Sequence, residues 1–152
     1  RGLGDVYKRQ PFISSRTLVQ STSLAAKKEK RWETIIREAA EQSGQLFLPK
    51  LNQPVDFKTA IEIARNDHDL CLLAWEHSPD DRQSLSRALS GFTRGRIALL
   101  VGPEGGFSDD EVKNATQRGC TIVSLGESVL RMETAAIVFP ALVHYELSGK
   151  NC

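Results

Sequence analysis

The stretch Leu99–Ser108, L-L-V-G-P-E-G-G-F-S, decides the fold together with a second glycine-bearing stretch, Leu125–Ala135, L-G-E-S-V-L-R-M-E-T-A. The first stretch contains the end of a short apolar run, Ile97–Val101, and the second directly follows another, Thr121–Ser124. Both runs are typical of a buried strand, and each stretch leads into a helical pattern. The chain between them is long enough for one helix and one strand, so both loops are predicted at the same edge of a parallel sheet. Ligands of open α/β sheets bind at this carboxyl edge, which predicts a small-molecule site built largely of main chain.

The residue types in these loops indicate the charge of the ligand. A phosphate-binding loop of the P-loop type needs a lysine, and the chain has neither lysine nor arginine between Arg96 and Lys113. The G-P-E-G-G sequence also lacks the spacing of a dinucleotide fingerprint. Glu104 between the glycines would repel phosphate and favours a cationic ligand, such as the sulfonium of S-adenosylmethionine. The alternative is a tight turn without a ligand, and the presence of two such loops at one edge favours a binding site.

The rest of the chain predicts alternating strands and helices, and hence a mostly parallel sheet with helices on both faces. The predicted elements are an extended segment Phe12–Gln20, a helix Leu24–Ser43, a strand Leu46–Leu51, a helix Asp56–Arg65, a strand Leu70–Trp75, a helix Asp80–Phe92 opened by Ser78 and Pro79, the strand Ile97–Val101, a helix from a Ser108–Glu111 capping box to near Arg118, the strand Thr121–Ser124, and a last helix Met132–Leu147 with Pro140 inside it. This last helix is apolar around nearly its whole circumference, which predicts burial either in the core or against a second subunit.

Composition agrees with a one-domain enzyme of balanced charge. The chain has 152 residues and a formal net charge of +1. No apolar stretch approaches the roughly 20 residues of a membrane span. The three cysteines, Cys71, Cys120 and Cys152, are widely spaced, which favours neither a disulfide framework nor a zinc site. The expected compartment is the reducing cytoplasm.

The two loop motifs carry a family resemblance. G-P-E-G-G-F-S-D-D-E (Gly102–Glu111) followed by L-G-x-x-V-L-R-x-E-T-A (Leu125–Ala135) resembles the C-terminal domain of the RsmE family of 16S ribosomal RNA (uracil-N3) methyltransferases. The helix motif Lys27–Gly44 and the Leu48–Pro49 step resemble the same family. The resemblance covers about Pro11 to Ser148. It implies a SPOUT-type α/β fold with a C-terminal trefoil knot.

The resemblance also implies roles for individual residues, with S-adenosylmethionine as the methyl donor and no metal. The implied donor-binding residues are Ala74, Trp75, Glu76, Leu100, Val101, Gly102, Pro103, Glu104, Gly105, Gly106, Leu125, Gly126, Val129, Leu130, Thr134 and Ala135. Arg131 is placed at the catalytic centre, where it would stabilise the developing uracil anion or anchor phosphate. Glu133 either orients Arg131 or is only a first-turn acid. No residue is identified as a general base, and the implied partners are 16S ribosomal RNA and a second copy of the chain packed through the last helix.

Two departures from the family pattern leave the activity of this chain open. Ser128 stands where the family usually has an arginine, and Gln45 where it often has one. Residues 1–10 match nothing in the pattern and are interpreted as a non-native leader, so that the methyltransferase domain is expected over residues 11–150, without the family's N-terminal RNA-binding β-barrel and the start of its catalytic domain. The alternatives are a SPOUT enzyme for another RNA site, a non-catalytic RNA- or protein-binding module that keeps the fold, and a nucleotide-binding protein of the Rossmann type.

Overall fold

A four-stranded parallel sheet forms the centre of the computed structural model, which describes residues 6–18, 28–42, 44, 47–76, 83–126 and 128–149. The described elements in chain order are β1 (Lys8–Arg9), β2 (Phe12–Ile13), α1 (Glu29–Gln42), β3 (Lys50–Leu51), β4 (Val55–Asp56), α2 (Phe57–Asp67), β5 (Leu70–Ala74), β6 (Gln83–Ser84), α3 (Leu85–Leu89), β7 (Ile97–Leu100), α4 (Asp109–Gln117), β8 (Thr121–Ser124) and α5 (Met132–Ser148). The central sheet has the order β6-β8-β5-β7, and every pairing in it is parallel. Two small parallel pairs, β1 with β3 and β2 with β4, lie outside it.

Helices cover both faces of the central sheet, as the alternation of elements predicts. Successive side chains of a strand point to opposite faces. Cys71 and Leu73 of β5 accordingly pack in one cluster with residues of α2 and α4, whereas Leu72 packs in another with residues of α3 and α5. The α/β architecture with a mostly parallel sheet is therefore confirmed, and the knot stays a prediction.

Side-chain caps fix the starts of α2 and α4 where the sequence predicts them. The Thr59 backbone N–H donates to Oδ1 of Asp56 at 2.8 Å, and hydrogen bonds from this backbone N–H and the Thr59 hydroxyl hold the pKa of Asp56 below its usual value. Ser108 and Glu111 form the predicted capping box of α4. Gly119, with φ +85°, follows the end of α4 and allows the turn into β8.

The predicted helix Asp80–Phe92 is wrong at its start, and it ends at Leu89, three residues earlier than predicted. Gln83 and Ser84 pair with β8 as a short strand, and α3 begins only at Leu85, because the Ser84 hydroxyl accepts from the Arg87 N–H and caps the helix there. Residues 77–82, including the predicted opening at Ser78 and Pro79, lie outside the described residues.

Two predicted extended segments are shorter in the structure. Of Leu46–Leu51, Lys50 and Leu51 form a strand, and residues 45 and 46 lie outside the described residues. Of Phe12–Gln20, β2 takes the first two residues, because the chain then turns and the Thr17 N–H donates to the Ser14 carbonyl at 3.1 Å.

Part of the segment that the sequence analysis set aside as a leader belongs to the fold. β1 pairs with β3, the Tyr7 hydroxyl lies 2.7 Å from Nε2 of His68, and Lys8 forms a salt bridge with Asp67 at 2.9 Å. Leaving all of residues 1–10 out of the fold is therefore wrong for this part of the segment. The non-native origin of the leader stays a prediction.

Candidate functional site

The two glycine loops leave the central sheet at the same edge. β5 lies between β7 and β8 and runs parallel to both, so the chain segments that follow these three strands emerge side by side. The Trp75 N–H donates to the Val123 carbonyl at 3.1 Å and ties the end of β5 to β8. The structure thus brings together the three segments that the sequence assigns to the donor site, which begin at Ala74, Leu100 and Leu125.

The first loop, residues 101–107, turns tightly around two glycines. The Gly106 N–H donates to the Pro103 carbonyl at 2.8 Å, and Gly106 has φ +67°, which favours glycine. A Cβ on Gly102 would lie 3.2 Å from the ring of Phe107, a buried side chain that stacks on Phe12. A side chain at Gly102 would therefore crowd Phe107, whereas Pro103 and Gly106 are half-buried in the turn and Glu104 and Gly105 are exposed.

The second loop, residues 125–131, has an open side at Gly126. This residue has φ +134°, and an added Cβ would meet nothing within 4 Å. The Ser124 hydroxyl donates to the Gly126 carbonyl at 2.8 Å and helps to fix the turn. Leu125 and Leu130 are half-buried, and Val129 is exposed. The loop thus presents main chain and free space at the sheet edge.

The remaining predicted donor-site residues differ in how far they reach the surface. Trp75 and Leu100 are buried in the core cluster on the α2 and α4 face, so their side chains pack in the core and not at the surface of the proposed site. Ala74 and Glu76 are half-buried. At the start of α5, Thr134 is exposed and Ala135 is buried.

Glu104, Arg131, Met132 and Glu133 line an open depression of about 250 Å³ between the two loops. The depression joins one cation to two carboxylates, and Arg131 and both acids are exposed. Within the described ranges, no salt bridge links Arg131 to Glu133. Glu133 lies in the first turn of α5, where a carboxylate favours the helix N-terminus.

The structure places against the first loop a segment that no sequence pattern assigns to the site. Residues 14–17 form a turn beside the start of α4, and Nη1 of Arg16 donates to the Gly105 carbonyl at 3.1 Å. A Cβ on Gly105 would lie 3.1 Å from the Cβ of Arg16. The contact joins residues that are 89 positions apart in sequence, and no local pattern in the chain indicates it.

A buried carboxylate holds this turn in place. Oε1 of Glu111 accepts from the Ser15 N–H at 2.8 Å, and Oε2 accepts from the Ser14 hydroxyl at 3.1 Å and from the Ser108 N–H at 2.9 Å. Burial alone would raise the pKa of Glu111, but the hydrogen bonds from Ser108, Ser15 and Ser14 outweigh it and lower the pKa. The capping residue predicted from sequence therefore also anchors a distant segment.

No group of three or more His, Cys, Asp or Glu side chains suited to a metal ion occurs among the residues that the structure describes. Cys71 and Cys120 are both buried and unbridged, and a hydrogen bond with Cys120 together with burial raises the pKa of the Cys71 thiol. Within the described ranges, no helix is long and apolar enough to cross a membrane.

Comparisons with known proteins agree on one kind of domain. The family model described as an RNA methyltransferase domain matches residues 5–144. The ribosomal RNA small subunit methyltransferase E of Mesomycoplasma hyopneumoniae is 34% identical over 84% of this chain and 53% of its own length. The protein of the same name from Bacillus subtilis is 32% identical over 90% of this chain and 54% of its own length.

Solved structures show the same likeness. A putative methyltransferase from Legionella pneumophila, solved with bound SAM, superposes with a TM-score of 0.78 at 34% identity, covering 90% of this chain and 54% of that one. A ribosomal RNA small subunit methyltransferase E from Neisseria gonorrhoeae, bound to S-adenosyl methionine, gives a TM-score of 0.75 at 29% identity, covering 91% of this chain and 54% of that one. The chain therefore spans about half the length of the relatives it matches.

Proposed function

Because the chain belongs to the RNA methyltransferase domain family, we propose that it binds S-adenosylmethionine and forms the catalytic part of an enzyme that methylates N3 of uracil in 16S ribosomal RNA. The similarity to proteins named ribosomal RNA small subunit methyltransferase E, over most of this chain, supports the choice of reaction. The observation that carries the proposal is the emergence of both glycine loops at one carboxyl edge of the parallel sheet.

The geometry of the loops fits this donor. At Gly126 the main chain is open to a close approach, and the positive φ angles of Gly106 and Gly126 turn both loops at the sheet edge. Glu104 supplies a negative charge that attracts a sulfonium. The proposed donor site comprises the two loops, the Ala74–Glu76 turn and the first turn of α5.

The proposed methyl transfer needs no covalent intermediate with the protein. S-adenosylmethionine supplies a methyl group that is already activated by its positive sulfur. The loops hold the donor in line with uracil N3, and such alignment lowers the barrier by several kcal/mol. In the proposed transfer the N3 proton passes to water, N3 bonds to the methyl carbon as the carbon–sulfur bond breaks, and S-adenosylhomocysteine is the leaving group. Arg131, exposed in the depression between the loops, stabilises the negative charge that develops on the uracil oxygens as that proton leaves.

A titration with S-adenosylmethionine, S-adenosylhomocysteine, NAD and ATP tests the donor site. Calorimetry should show binding of the first two compounds and not of NAD or ATP. Preference for NAD or ATP would indicate a nucleotide-binding protein, and the absence of all binding would favour a non-catalytic module.

Gly126→Ala locates the site, with Gly44→Ala as its matched control. Both glycines have positive φ angles and nothing within 4 Å of an added Cβ, so neither alanine meets a neighbouring atom. Each alanine strains the backbone by about 1–3 kcal/mol, and the strain is larger at Gly126 (φ +134°) than at Gly44 (φ +66°), which lies in the left-handed region. Only Gly126 lies in the proposed site, so we expect Gly126→Ala to weaken S-adenosylhomocysteine binding at least tenfold and Gly44→Ala to leave it unchanged. Equal effects of the two changes would remove the second loop from the site.

Gly105→Val is a less direct test of the same site. The structure places the Cβ position of Gly105 against Arg16, so valine would displace the segment of residues 14–17. We still expect Gly105→Val to abolish S-adenosylhomocysteine binding in a folded protein. Unchanged affinity would argue against a role for the first loop.

The proposed enzyme works as a homodimer packed through α5. One stripe of this helix, Ala135, Phe139, Val143 and Leu147, is buried against the chain's own core. On another side, Ile137 and Tyr145 are 74% and 77% exposed. Large apolar side chains left in water on a helix next to the proposed site support a partner subunit on that side.

We further propose that the methyltransferase domain expected over residues 11–150 also includes β1, and that it acts in the cytoplasm on 16S ribosomal RNA, with an RNA-binding β-barrel in the complete enzyme. Ser128 is exposed in the second loop, so Ser128→Arg tests whether the departure from the family pattern limits activity on RNA. Gln45 lies outside the described residues. A rise in methyl transfer with Ser128→Arg would identify the serine as a handicap, and no rise would indicate compensation elsewhere.

A further inference from the structure

We propose that Arg16 is a substrate-positioning residue whose guanidinium binds a phosphate of the RNA beside the first glycine loop. The inference rests on the proposed function, because it assigns the face on which the RNA approaches the donor site. It adds a second cation to Arg131 of the second loop, from a segment that lies outside both glycine loops.

The position of Arg16 is the first argument. Its side chain lies on the exposed rim of the loop, where Nη1 donates to the Gly105 carbonyl at 3.1 Å, and both residues are exposed. A guanidinium has five N–H donors. One hydrogen bond to a carbonyl therefore leaves four N–H donors for an anion, and two phosphate oxygens can accept from a pair of these coplanar donors.

The anchoring of the turn is the second argument. Ser14 is 1% exposed, and its hydroxyl donates to the carboxylate of Glu111, which also accepts from the Ser15 N–H. The carboxylate is thereby used to fix the backbone next to Arg16 and not to neutralise the guanidinium. Among the residues that the structure describes, no carboxylate lies within salt-bridge distance of Arg16. The result is a cation that follows directly on a hydrogen-bonded backbone turn and keeps its charge available.

The charges around the loop are the third argument. Glu104 is exposed in the loop, and Asp109 and Asp110 are exposed at the start of α4. These carboxylates would repel the phosphates of an RNA strand, most strongly at low ionic strength. Arg16 on one side of the loop and Arg131 in the depression with Glu104 offset them, so an RNA strand that brings uracil to the donor can cross this edge.

Oligonucleotide binding at several salt concentrations tests the proposal. The probe is a short fluorescein-labelled oligouridylate, measured by anisotropy with saturating S-adenosylhomocysteine, on the unmutated chain, Arg16→Ala, Arg16→Lys and Arg94→Ala. Arg94 is the matched control, since it is also exposed but precedes β7 and so lies at the opposite edge of the sheet.

The slope of log affinity against log salt concentration is the decisive reading. Loss of one single-strand phosphate contact should make the slope of Arg16→Ala shallower by about 0.7, with a several-fold weaker affinity. Arg16→Lys keeps the charge and should keep the slope, and Arg94→Ala should match the unmutated chain. The affinity of Arg16→Ala for S-adenosylhomocysteine should stay within about twofold of the unmutated value.

Four results would overturn the inference. They are an unchanged salt slope in Arg16→Ala, an equal change in Arg94→Ala, a loss of S-adenosylhomocysteine affinity that assigns Arg16 to the donor, and no binding of the oligonucleotide by the unmutated chain. In each case the S-adenosylhomocysteine titration of the unmutated chain separately decides the proposed function.

Discussion

Replacement of Glu111 by glutamine should destabilise the protein more than its place in a first helical turn suggests. The carboxylate accepts from two backbone N–H groups, that of Ser15 on Oε1 at 2.8 Å and that of Ser108 on Oε2 at 2.9 Å. Glutamine offers one acceptor oxygen and one NH₂ group, so in either orientation one of these N–H groups faces another donor. A part-buried donor left unsatisfied costs about 1–3 kcal/mol, and the remaining bonds lose their charge.

The expected loss for Glu111→Gln is therefore about 2–3 kcal/mol in the free energy of unfolding. At an m value of about 2 kcal/mol/M, the urea midpoint falls by about 1–1.5 M. Asp110→Asn is the matched control, because Asp110 is an exposed acid in the same first turn, and its loss should cost about 0.3–1 kcal/mol. Equal urea midpoints for the two variants at neutral pH would refute the anchoring role of Glu111.

Three further predictions concern the site, the partner surface and the pH dependence. In a full-length enzyme with its RNA-binding domain, Arg131→Ala should leave S-adenosylmethionine affinity within a few-fold and lower methyl transfer by roughly 10²–10³, and a normal rate or a lost donor affinity in radiolabel and calorimetric assays would contradict this role. Ile137→Glu and Tyr145→Glu should give a monomer of unchanged fold by light scattering, because both side chains are exposed in the isolated chain, and a monomeric mass of the unmutated chain would rule out the dimer. Burial lowers the pKa of His68, so folding favours the neutral imidazole, and the free energy of unfolding should decrease as the pH falls below about 6.5, the usual pKa of an unfolded histidine. The same pH dependence of the free energy of unfolding in His68→Gln, measured by urea unfolding, would disprove the link.

Local patterns in the sequence were sufficient for three strands of the central sheet, β5, β7 and β8, and for the shared edge at which both glycine loops emerge. Thr121–Ser124 has the predicted bounds, and the capping box at Ser108 and Glu111 forms as predicted. Such signals are short-range, since a buried strand needs an apolar run and a helix start needs an acceptor three residues before an N–H group. The α3 helix shows the limit of this reasoning. The sequence offers both Ser78 and Ser84 as possible caps, and the structure uses Ser84, because Gln83 and Ser84 pair with β8 as a strand.

Contacts between distant segments could not be predicted from the same patterns. Nothing near Ser14 or Arg16 in the sequence indicates that they meet Glu111 and Gly105. From the sequence, Glu111 is predicted only as the second residue of the capping box of α4. The second role becomes visible only when the turn of residues 14–17 is placed against the start of α4.

The link between the Ser14 turn and α4 has a consequence for the order of folding. The hydrogen bond from Ser14 to Glu111 closes a loop of 97 residues, and closing a long loop costs chain entropy before its contacts compensate. The turn should dock after the central sheet has formed, and it should be released first by sub-global opening. In native-state hydrogen exchange, the Ser15 N–H should then exchange faster than the amides of β5, so the protein can lose the turn beside its first glycine loop while the sheet that carries both loops remains folded.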